Sequence, residues 1–256
     1  MKHEILKIDE QKKIMRITTV DERWYSKPTS ADNDEPVFYP SVTWIAEYYP
    51  KGIAFYKWLA DKGWDEAESI KAAAGNKGSK VHRACKDIDN GKEVKFNDKY
   101  MNYETGKEEE LTVEEWECLM SFRAWLDAVK PELVEVEVTV FNEREHYAGT
   151  IDRIYKIKDE HWIVDLKTSQ YIWPSHKIQI SAYAHTRVDQ RCPFKLGILQ
   201  LGFKRNRNGY KFTEVEDQYD LFLNAKAIWH NENPDAKPKQ RDYPLSIAAE
   251  CRRKEK

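Results

Sequence analysis

The sequence predicts an α/β fold in which a mixed central sheet is flanked by helices. Apolar residues recur at helical spacing from about residue 41 to residue 130, and from residue 131 they alternate with polar residues, as they do in strands. A further helical segment precedes the last two strands, so the sheet is expected to be mixed rather than a simple meander.

The chain of 256 residues is expected to form one domain with a substantial core. Its segments are an N-terminal hairpin and loop (1–40), a helical part (41–130), a sheet with its helices (131–232) and a polar tail (233–256). Alternation at residues 5–8 and 14–17 predicts the hairpin. The stretch 27–36, which contains two prolines, two aspartates and one asparagine, predicts the loop.

The helical part is expected to contain four helices. The first begins at an N-cap of Ser41 or Thr43. The second covers residues 64–74, and Gly75-Asn76-Lys77-Gly78 is expected to end it before a third begins near Ser79.

The fourth helix is expected at about residues 112–129, after a polar and irregular stretch at 90–110. Its predicted apolar stripe consists of Trp116, Met120, Trp125 and Leu126. Five strands then follow, at residues 133–141, 147–157, 162–167, 196–203 and 210–215. Two further helices are expected, at 175–188 and 217–232.

Three polar residues lie in strands that are otherwise apolar. They are Asp152 on the second strand and Asp165 and Lys167 on the third. Asp165 and Lys167 share one face of their strand, because side chains on a strand alternate between faces. If Lys158 and Asp159 form a two-residue turn, Asp152 lies opposite Asp165 on that face, whereas a loop of odd length would separate them.

Two carboxylates and one ammonium group in this arrangement suit phosphodiester hydrolysis. The carboxylates are ligands for Mg²⁺ or Mn²⁺, and the Leu166 carbonyl is a possible additional ligand. Such a cation lowers the pKa of a bound water, and Lys167 is placed to orient that water and offset developing charge. The alternative is a solvated salt bridge on a surface hairpin, but the apolar pair Ile163-Val164 favours a buried strand.

Several ordered motifs resemble the PD-(D/E)XK nuclease superfamily. Asp152, twelve intervening residues and then Asp165-Leu166-Lys167-Thr168-Ser169 resemble its second and third motifs. Gly78-Ser79-Lys80-Val81-His82 resembles the Gly-x-x-Val-His motif of the RecB-like branch, and Gln179-Ile180-Ser181-Ala182-Tyr183 resembles its Gln-x-x-x-Tyr motif. Tyr39-Pro40-Ser41-Val42-Thr43 resembles the opening of phage exonucleases and of the mitochondrial genome maintenance exonuclease.

The resemblance implies a restriction-endonuclease-like fold and assigns roles to individual residues. Asp152, Asp165 and Lys167 would be catalytic, and the metal ligands would be His82, Asp152, Asp165 and the Leu166 carbonyl. Gln179 and Tyr183 would face the active site and the DNA backbone, and the alternative is that Tyr183 is simply a core residue. The chain departs from the family pattern in having Ile151 before the first acid.

Three further residues are predicted to contact DNA. The hydroxyls of Thr168 and Ser169 are suited to phosphate, or they simply end the strand. Trp173 lies just after the catalytic strand, where an exposed ring would stack on an unpaired base.

Composition limits the cofactors, the cellular location and the kind of DNA-binding surface that are expected. The four cysteines are far apart with no CxxC pair, so no iron–sulfur cluster is expected. The N-terminus has no signal-peptide pattern, and no apolar run reaches the roughly 20 residues of a membrane span, so a cytoplasmic protein without a membrane partner is expected. The formal net charge is only −2, so any DNA surface must be local.

The sequence therefore predicts a Mg²⁺- or Mn²⁺-dependent DNA exonuclease of phage or bacterial recombination, repair or replication. A recombination or single-strand-binding protein is a possible partner. The alternatives are a structure-selective endonuclease on the same fold and a non-catalytic DNA-binding module. The motifs do not discriminate between single-stranded and duplex DNA.

Overall fold

The computed structural model describes residues 4–19, 22–30, 33–187, 194–235 and 237–238. Over this part of the chain it contains eleven strands in three sheets and six helices. The predicted α/β class with a mixed sheet is therefore confirmed. None of the helices in the described residues is both long enough and apolar enough to cross a lipid bilayer.

The chain divides into two compact units, Met1–Tyr39 with Asp235–Lys256 and Pro40–Pro234. The predicted segment boundary after residue 40 lies at this division, although the sequence predicts one domain. Most of the predicted polar tail lies outside the described residues.

The first unit contains a four-stranded sheet. Its strands, in spatial order, are β1 (Glu4–Asp9), β2 (Ile14–Thr18), β3 (Arg23–Ser30) and β4 (Asn33–Pro40). The predicted hairpin corresponds to β1 and β2, which are antiparallel. The loop prediction is wrong for residues 27–30 and 33–36, which belong to β3 and β4, and residues 31 and 32 lie outside the described residues.

Burial on β3 explains the error. Trp24 and Tyr25 are buried and anchor this strand beside β2. Pro28 lies beyond Ser26, the last residue of β3 that pairs with β2, so its missing N–H costs no hydrogen bond in that pairing. Local composition therefore indicated a loop where neighbouring strands hold the chain extended.

The second unit begins with three helices. These are α1 (Val42–Ala46), α2 (Ile53–Lys62) and α3 (Trp64–Asp89). Ser41 is the N-cap of α1, and its side chain accepts a hydrogen bond from the backbone N–H of Trp44, as predicted.

The predicted helix break at residues 75–78 is wrong, because α3 runs through it. A glycine inside a helix costs only about 1 kcal/mol relative to alanine, which the long helix tolerates. A Cβ atom added at Gly78 would lie 3.7 Å from the Thr168 hydroxyl oxygen, which is an ordinary contact distance, so α3 passes beside that residue here.

The stretch before the fourth helix is more ordered than predicted. Residues 90–110 include a hairpin of β5 (Lys99–Asn102) and β6 (Lys107–Glu110) instead of irregular chain only. Helix α4 (Val113–Val129) follows, and Thr112 and Glu115 form a capping box at its start.

The predicted apolar stripe of α4 is partly wrong. Met120 is 58% exposed, whereas Cys118, Leu119, Phe122 and Trp125 are buried. The buried face of α4 therefore lies at a different angle around the helix from the stripe that tryptophan and methionine spacing suggested.

The central sheet is five-stranded and mixed. Its strands are β7 (Glu132–Asn142), β8 (Tyr147–Ile157), β9 (Glu160–Lys167), β10 (Lys195–Leu201) and β11 (Tyr210–Val215), in the spatial order β11-β10-β9-β8-β7. Only the β9–β10 pair is parallel, and α5 (Pro174–Ala184) makes the connection between these two strands. Helix α6 (Tyr219–Glu232) follows β11. Val188, the predicted end of the helix before β10, lies outside the described residues.

The core on one face of the sheet determines where the polar residues of β9 lie. Val164 and Leu166 pack in a cluster with buried residues of α3 and α4, including Val81 and Phe122. Asp165 lies between the two apolar residues and therefore points to the opposite face. The strand β9 thus buries its aliphatic side chains on one side and presents a carboxylate on the other.

Candidate active site

The β8–β9 hairpin brings the two predicted acids together. Ile157 pairs with Glu160, so the turn consists of two residues, Lys158 and Asp159. The pairing continues to Arg153 opposite Val164. The next position along this register places Asp152 opposite Asp165. The two-residue turn on which this placement depends is therefore present.

Asp152 is held at this position by β9 and α3. Its Oδ2 accepts a hydrogen bond of 2.9 Å from the backbone N–H of Leu166, and its Oδ1 lies 3.5 Å from His82 Nδ1. Burial alone would raise the pKa of Asp152, but His82, Lys167 and Arg153 together hold it below its ordinary value. Asp152 is therefore an anion at neutral pH.

Asp165 and Lys167 form a close ion pair. Lys167 Nζ lies 2.7 Å from Asp165 Oδ2, and the two side chains are 19% and 2% exposed. Burial, with the neighbouring Asp152, raises the pKa of Asp165 to about 6 against the opposing effect of Lys167. Burial would lower the pKa of Lys167, but the two carboxylates raise it, so the ammonium stays charged.

One oxygen of Asp165 lacks a hydrogen bond. The contact of Asp165 Oδ2 with Lys167 is an ion pair whose angles do not make a hydrogen bond, and this buried oxygen accepts none from the other described residues. The oxygen is therefore paired by charge with Lys167 and keeps acceptor capacity for a further partner.

His82 reaches the same place from α3. Its Nε2 lies 3.0 Å from the carbonyl oxygen of Leu166. Atoms bound at adjacent corners of an octahedron around Mg²⁺ lie about 3.0 Å apart, since each bond is about 2.1 Å long. The contact between His82 and Leu166 therefore has the spacing of two neighbouring ligands, or of an ordinary hydrogen bond if Nε2 carries the proton.

The four predicted ligands fit a divalent cation by their chemistry. Two carboxylates, one carbonyl oxygen and one imidazole are suited to Mg²⁺ or Mn²⁺, and the orphaned oxygen of Asp165 belongs to this set. Among the described residues, no group of three His, Cys, Asp or Glu side chains is close enough to hold a metal by itself. His82, Asp152 and Asp165 alone therefore do not form such a group, and the fourth donor of the predicted set is a backbone carbonyl.

Arg153 joins α3 to β8 and is not among the site residues that the sequence predicts. Arg153 is fully buried, and its Nε donates to Asp89 Oδ2 at 2.5 Å. Its two terminal nitrogens donate to the backbone carbonyls of His82, at 3.2 Å, and Asp152, at 2.9 Å. Arg153 therefore fixes the helix that carries His82 to the strand that carries Asp152. The only signal in the sequence was a second charged residue, between Asp152 and Ile154, on a strand that is otherwise apolar.

An open groove of about 820 Å³ leads to the site. Its walls include His82, Leu166 and Lys167 together with the predicted DNA-contacting residues Thr168, Ser169 and Trp173, and residues of α3 from Lys71 to Gly78. Asp152 and Asp165 lie behind this surface and are not part of the wall. The Asp165 carboxylate is shielded at 2% exposed, whereas the side chains of Lys167 (19%), Asp152 (16%) and His82 (25%) all reach solvent.

His176 also lines the groove and was not predicted. Its Nδ1 accepts a hydrogen bond of 3.4 Å from the backbone N–H of Trp173. Burial, together with the positive charges of Lys167 and Lys51, lowers the pKa of His176 to about 3. His176 is therefore a neutral imidazole whose second nitrogen, Nε2, is a donor.

Gln179 and Tyr183 lie on α5 and are both buried. Gln179 Nε2 donates a hydrogen bond of 3.0 Å to the Tyr183 hydroxyl. The Tyr183 ring packs over Gly149 of β8. A packing role is what these contacts demonstrate, and DNA binding by this pair stays a prediction.

The structure thus brings His82, Asp152, Asp165, Leu166 and Lys167 to one place, with Thr168, Ser169 and Trp173 on the adjoining wall. It keeps Gln179 and Tyr183 inside the protein. No protein-family model matches this chain, and no curated protein matches it either.

Proposed function

We propose that this protein is a divalent-cation-dependent deoxyribonuclease with a restriction-endonuclease-like fold, related to the RecB-like branch of the PD-(D/E)XK superfamily. The observation that carries the proposal is the meeting of His82 and the Leu166 carbonyl beside Asp152 and the Asp165–Lys167 pair. The motifs that suggested these residues are separated by up to 84 positions in the sequence. Their convergence at one end of an open groove supports a shared catalytic role.

His82, Asp152, Asp165 and the Leu166 carbonyl would hold the cation. When bound, Mg²⁺ or Mn²⁺ supplies a Lewis acid that favours deprotonation of water and offsets charge on the phosphate. Asp152, which is ionised and hydrogen-bonded to the Leu166 N–H, keeps a negative charge available to the site. Asp165 Oδ2 supplies the second charged oxygen.

Lys167 has a different task from the acids. Its ammonium is charged, is 19% exposed and lines the groove. In that position it orients the attacking water and stabilises the negative charge that develops on the phosphate oxygens. The Asp165 carboxylate, 2.7 Å away, fixes the direction of the ammonium.

The biological assignment is an exonuclease in phage or bacterial recombination, repair or replication, with a recombination or single-strand-binding protein as its partner. It depends on the Pro-Ser-Val-Thr stretch at residues 40–43, of which Ser41 acts locally as the N-cap of α1. The walls of the groove are open to solvent, which suits a polymeric substrate better than an enclosed small molecule.

The test is degradation of end-labelled linear DNA, with circular DNA as the control, in Mg²⁺, Mn²⁺ or EDTA. Wild-type protein is compared with Asp165→Asn, which keeps the shape of the side chain and removes its charge. Asp159→Asn, in the exposed turn of the same hairpin, is the matched control. We expect metal-dependent loss of linear DNA that Asp165→Asn abolishes and Asp159→Asn leaves intact.

The outcomes separate the rival functions. Cleavage of circular DNA identifies an endonuclease. Equal activity in wild type and Asp165→Asn would refute the proposed site. DNA binding without cleavage in either cation identifies a binding module instead of an enzyme.

A further inference from the structure

Two exposed aromatic rings lie at the edge of the groove, just beyond the catalytic strand. Tyr171 is 55% exposed and Trp173 is 51% exposed. Their ring centroids are 5.9 Å apart, and the ring planes are inclined by 38°. Large aromatic side chains gain several kcal/mol from burial, so two adjacent exposed rings indicate a surface that contacts a ligand.

Hydrogen bonds hold the segment that carries these rings. Gln170 Nε2 donates to the Gly202 carbonyl at 2.8 Å, and Gln170 Oε1 accepts from the Lys204 N–H at 3.0 Å. Gln200, which is buried, donates to the Ser169 carbonyl at 2.9 Å. The rings therefore project from a backbone that is fixed before any ligand arrives, which lowers the entropy cost of binding.

A cation lies against the first ring. The Arg205 guanidinium carbon is 5.0 Å from the Tyr171 ring centroid, and Arg205 Nη2 donates a hydrogen bond of 2.9 Å to the Tyr171 hydroxyl. Arg205 is exposed and follows Lys204 in the turn after β10. The edge of the groove thus combines aromatic surface with positive charge, which are the two features that a nucleic-acid strand requires.

The rings are continuous with the proposed active site. Trp173 shares the wall of the groove with His82 and Lys167. A strand whose phosphate reaches Lys167 therefore passes Trp173 and then Tyr171. The bases of duplex DNA are stacked on their neighbours and present no free face to such rings, whereas unpaired bases do.

We propose that Tyr171, Trp173 and Arg205 form a platform on which unpaired nucleobases stack, so that the substrate strand enters the groove single-stranded. This inference rests on the proposed nuclease function for the identity of the polymer. The chemistry recognised is an unpaired base followed by a phosphate, which single-stranded DNA and single-stranded RNA share.

The test measures affinity by fluorescence anisotropy in EDTA, where cleavage does not interfere. The labelled probes are short oligo(dT), an abasic strand with the same number of phosphates, a duplex of the same length, and oligo(rU). Stacking of one base is worth about five- to 150-fold in affinity. We expect oligo(dT) to bind at least about fivefold more tightly than the abasic strand or the duplex.

Variants then assign the preference to the platform. Trp173→Ala and Tyr171→Ala should bring the ratio of oligo(dT) to abasic affinity towards one, and Trp173→Phe should retain most of it. Phe96→Ala is the matched control, because Phe96 is also an exposed aromatic residue and does not line the groove. Arg205→Ala should weaken the binding of every single-stranded probe. It removes a positive charge and also the hydrogen bond from Arg205 to the Tyr171 hydroxyl.

Equal affinity of the wild type for oligo(dT) and the abasic strand would overturn the platform, as would an unchanged ratio in both alanine variants. An affinity for oligo(rU) that also exceeds the affinity for the abasic strand supports the platform. It identifies RNA as a further source of the base. Cleavage in Mg²⁺ or Mn²⁺ is measured in parallel. Cleavage without a base preference refutes the platform alone, and a base preference without cleavage refutes the nuclease function alone.

Discussion

His82 Nε2 lies 3.0 Å from the carbonyl oxygen of Leu166, although 84 positions separate the two residues in the sequence. The contact ties the middle of α3 to the end of β9. It also leaves His82 Nδ1 3.5 Å from Asp152 Oδ1. A side chain that touches both a carbonyl and a carboxylate of the proposed metal set should control the affinity for the cation.

We therefore expect His82→Ala to lower the affinity for Mn²⁺ by at least about tenfold. Mutation of residues that only orient metal ligands already lowers metal affinity or activity by about 10- to 100-fold. Isothermal titration calorimetry with Mn²⁺ measures this directly. His161→Ala is the control, because His161 lies on β9 towards the turn and pairs with Lys156. Unchanged Mn²⁺ affinity in His82→Ala would remove this residue from the ligand set.

Arg153→Met should strongly destabilise the protein. Arg153 and Asp89 are 0% and 2% exposed, and they form an ion pair of 2.5 Å. Removing one partner leaves a buried charge without compensation, which costs about 3–5 kcal/mol. Urea unfolding followed by circular dichroism measures the free energy of unfolding.

The double variant Arg153→Met with Asp89→Asn tests whether the uncompensated charge of Asp89 causes the loss of stability. It should be less destabilised than the sum of the two single variants, because neither charge remains. A loss below about 1 kcal/mol in Arg153→Met would show that the pair behaves like an exposed salt bridge.

The arrangement of the acids was predictable because it depends on local rules. Alternation along β9 places Asp165 and Lys167 on one face, and a two-residue turn sets the register that brings Asp152 opposite Asp165. Both rules act within about sixteen residues of chain. The pairing of Ile157 with Glu160 confirms the turn on which that prediction depended.

The remaining features depend on contacts between distant segments. The continuity of α3 through Gly75 and Gly78, the ion pair of Arg153 with Asp89 and the place of His176 in the groove all arise from tertiary packing. Local composition indicated a helix break at the glycines because glycine weakens isolated helices. In the folded chain, packing of α3 against neighbouring elements outweighs that preference.

The two described cysteines should resist alkylation in the native protein. Cys85 and Cys118 are buried, and burial raises the pKa of Cys118 to about 11 and also raises that of Cys85. At pH 8 a thiol with such a pKa is about one-thousandth thiolate, the reactive form. Peptide mapping after iodoacetamide treatment should therefore find both cysteines unmodified before denaturation and fully modified after it. Rapid native modification of either one would contradict the buried placement.

The last prediction separates packing from DNA binding at Tyr183. A Cβ atom added to Gly149 would lie 2.6 Å from Tyr183 Cε1, and the buried ring has little space to retreat. Gly149→Ala should therefore cost about 1–3 kcal/mol of unfolding free energy, as overpacking does. Adding Tyr183→Val should recover part of that loss, because it removes the ring that the new methyl group meets.

Tyr183→Phe keeps the ring and removes only the hydroxyl that accepts the hydrogen bond from Gln179. If the pair is structural, this variant should lose about 0.5–1.5 kcal/mol of stability and bind DNA as the wild type does. If the hydroxyl contacts the DNA backbone, the affinity for DNA should fall while the loss of stability stays in the same range. Anisotropy and urea unfolding on the same variant distinguish the two roles, because a contact made only within α5 cannot change the affinity for a strand in the groove unless the ring also moves.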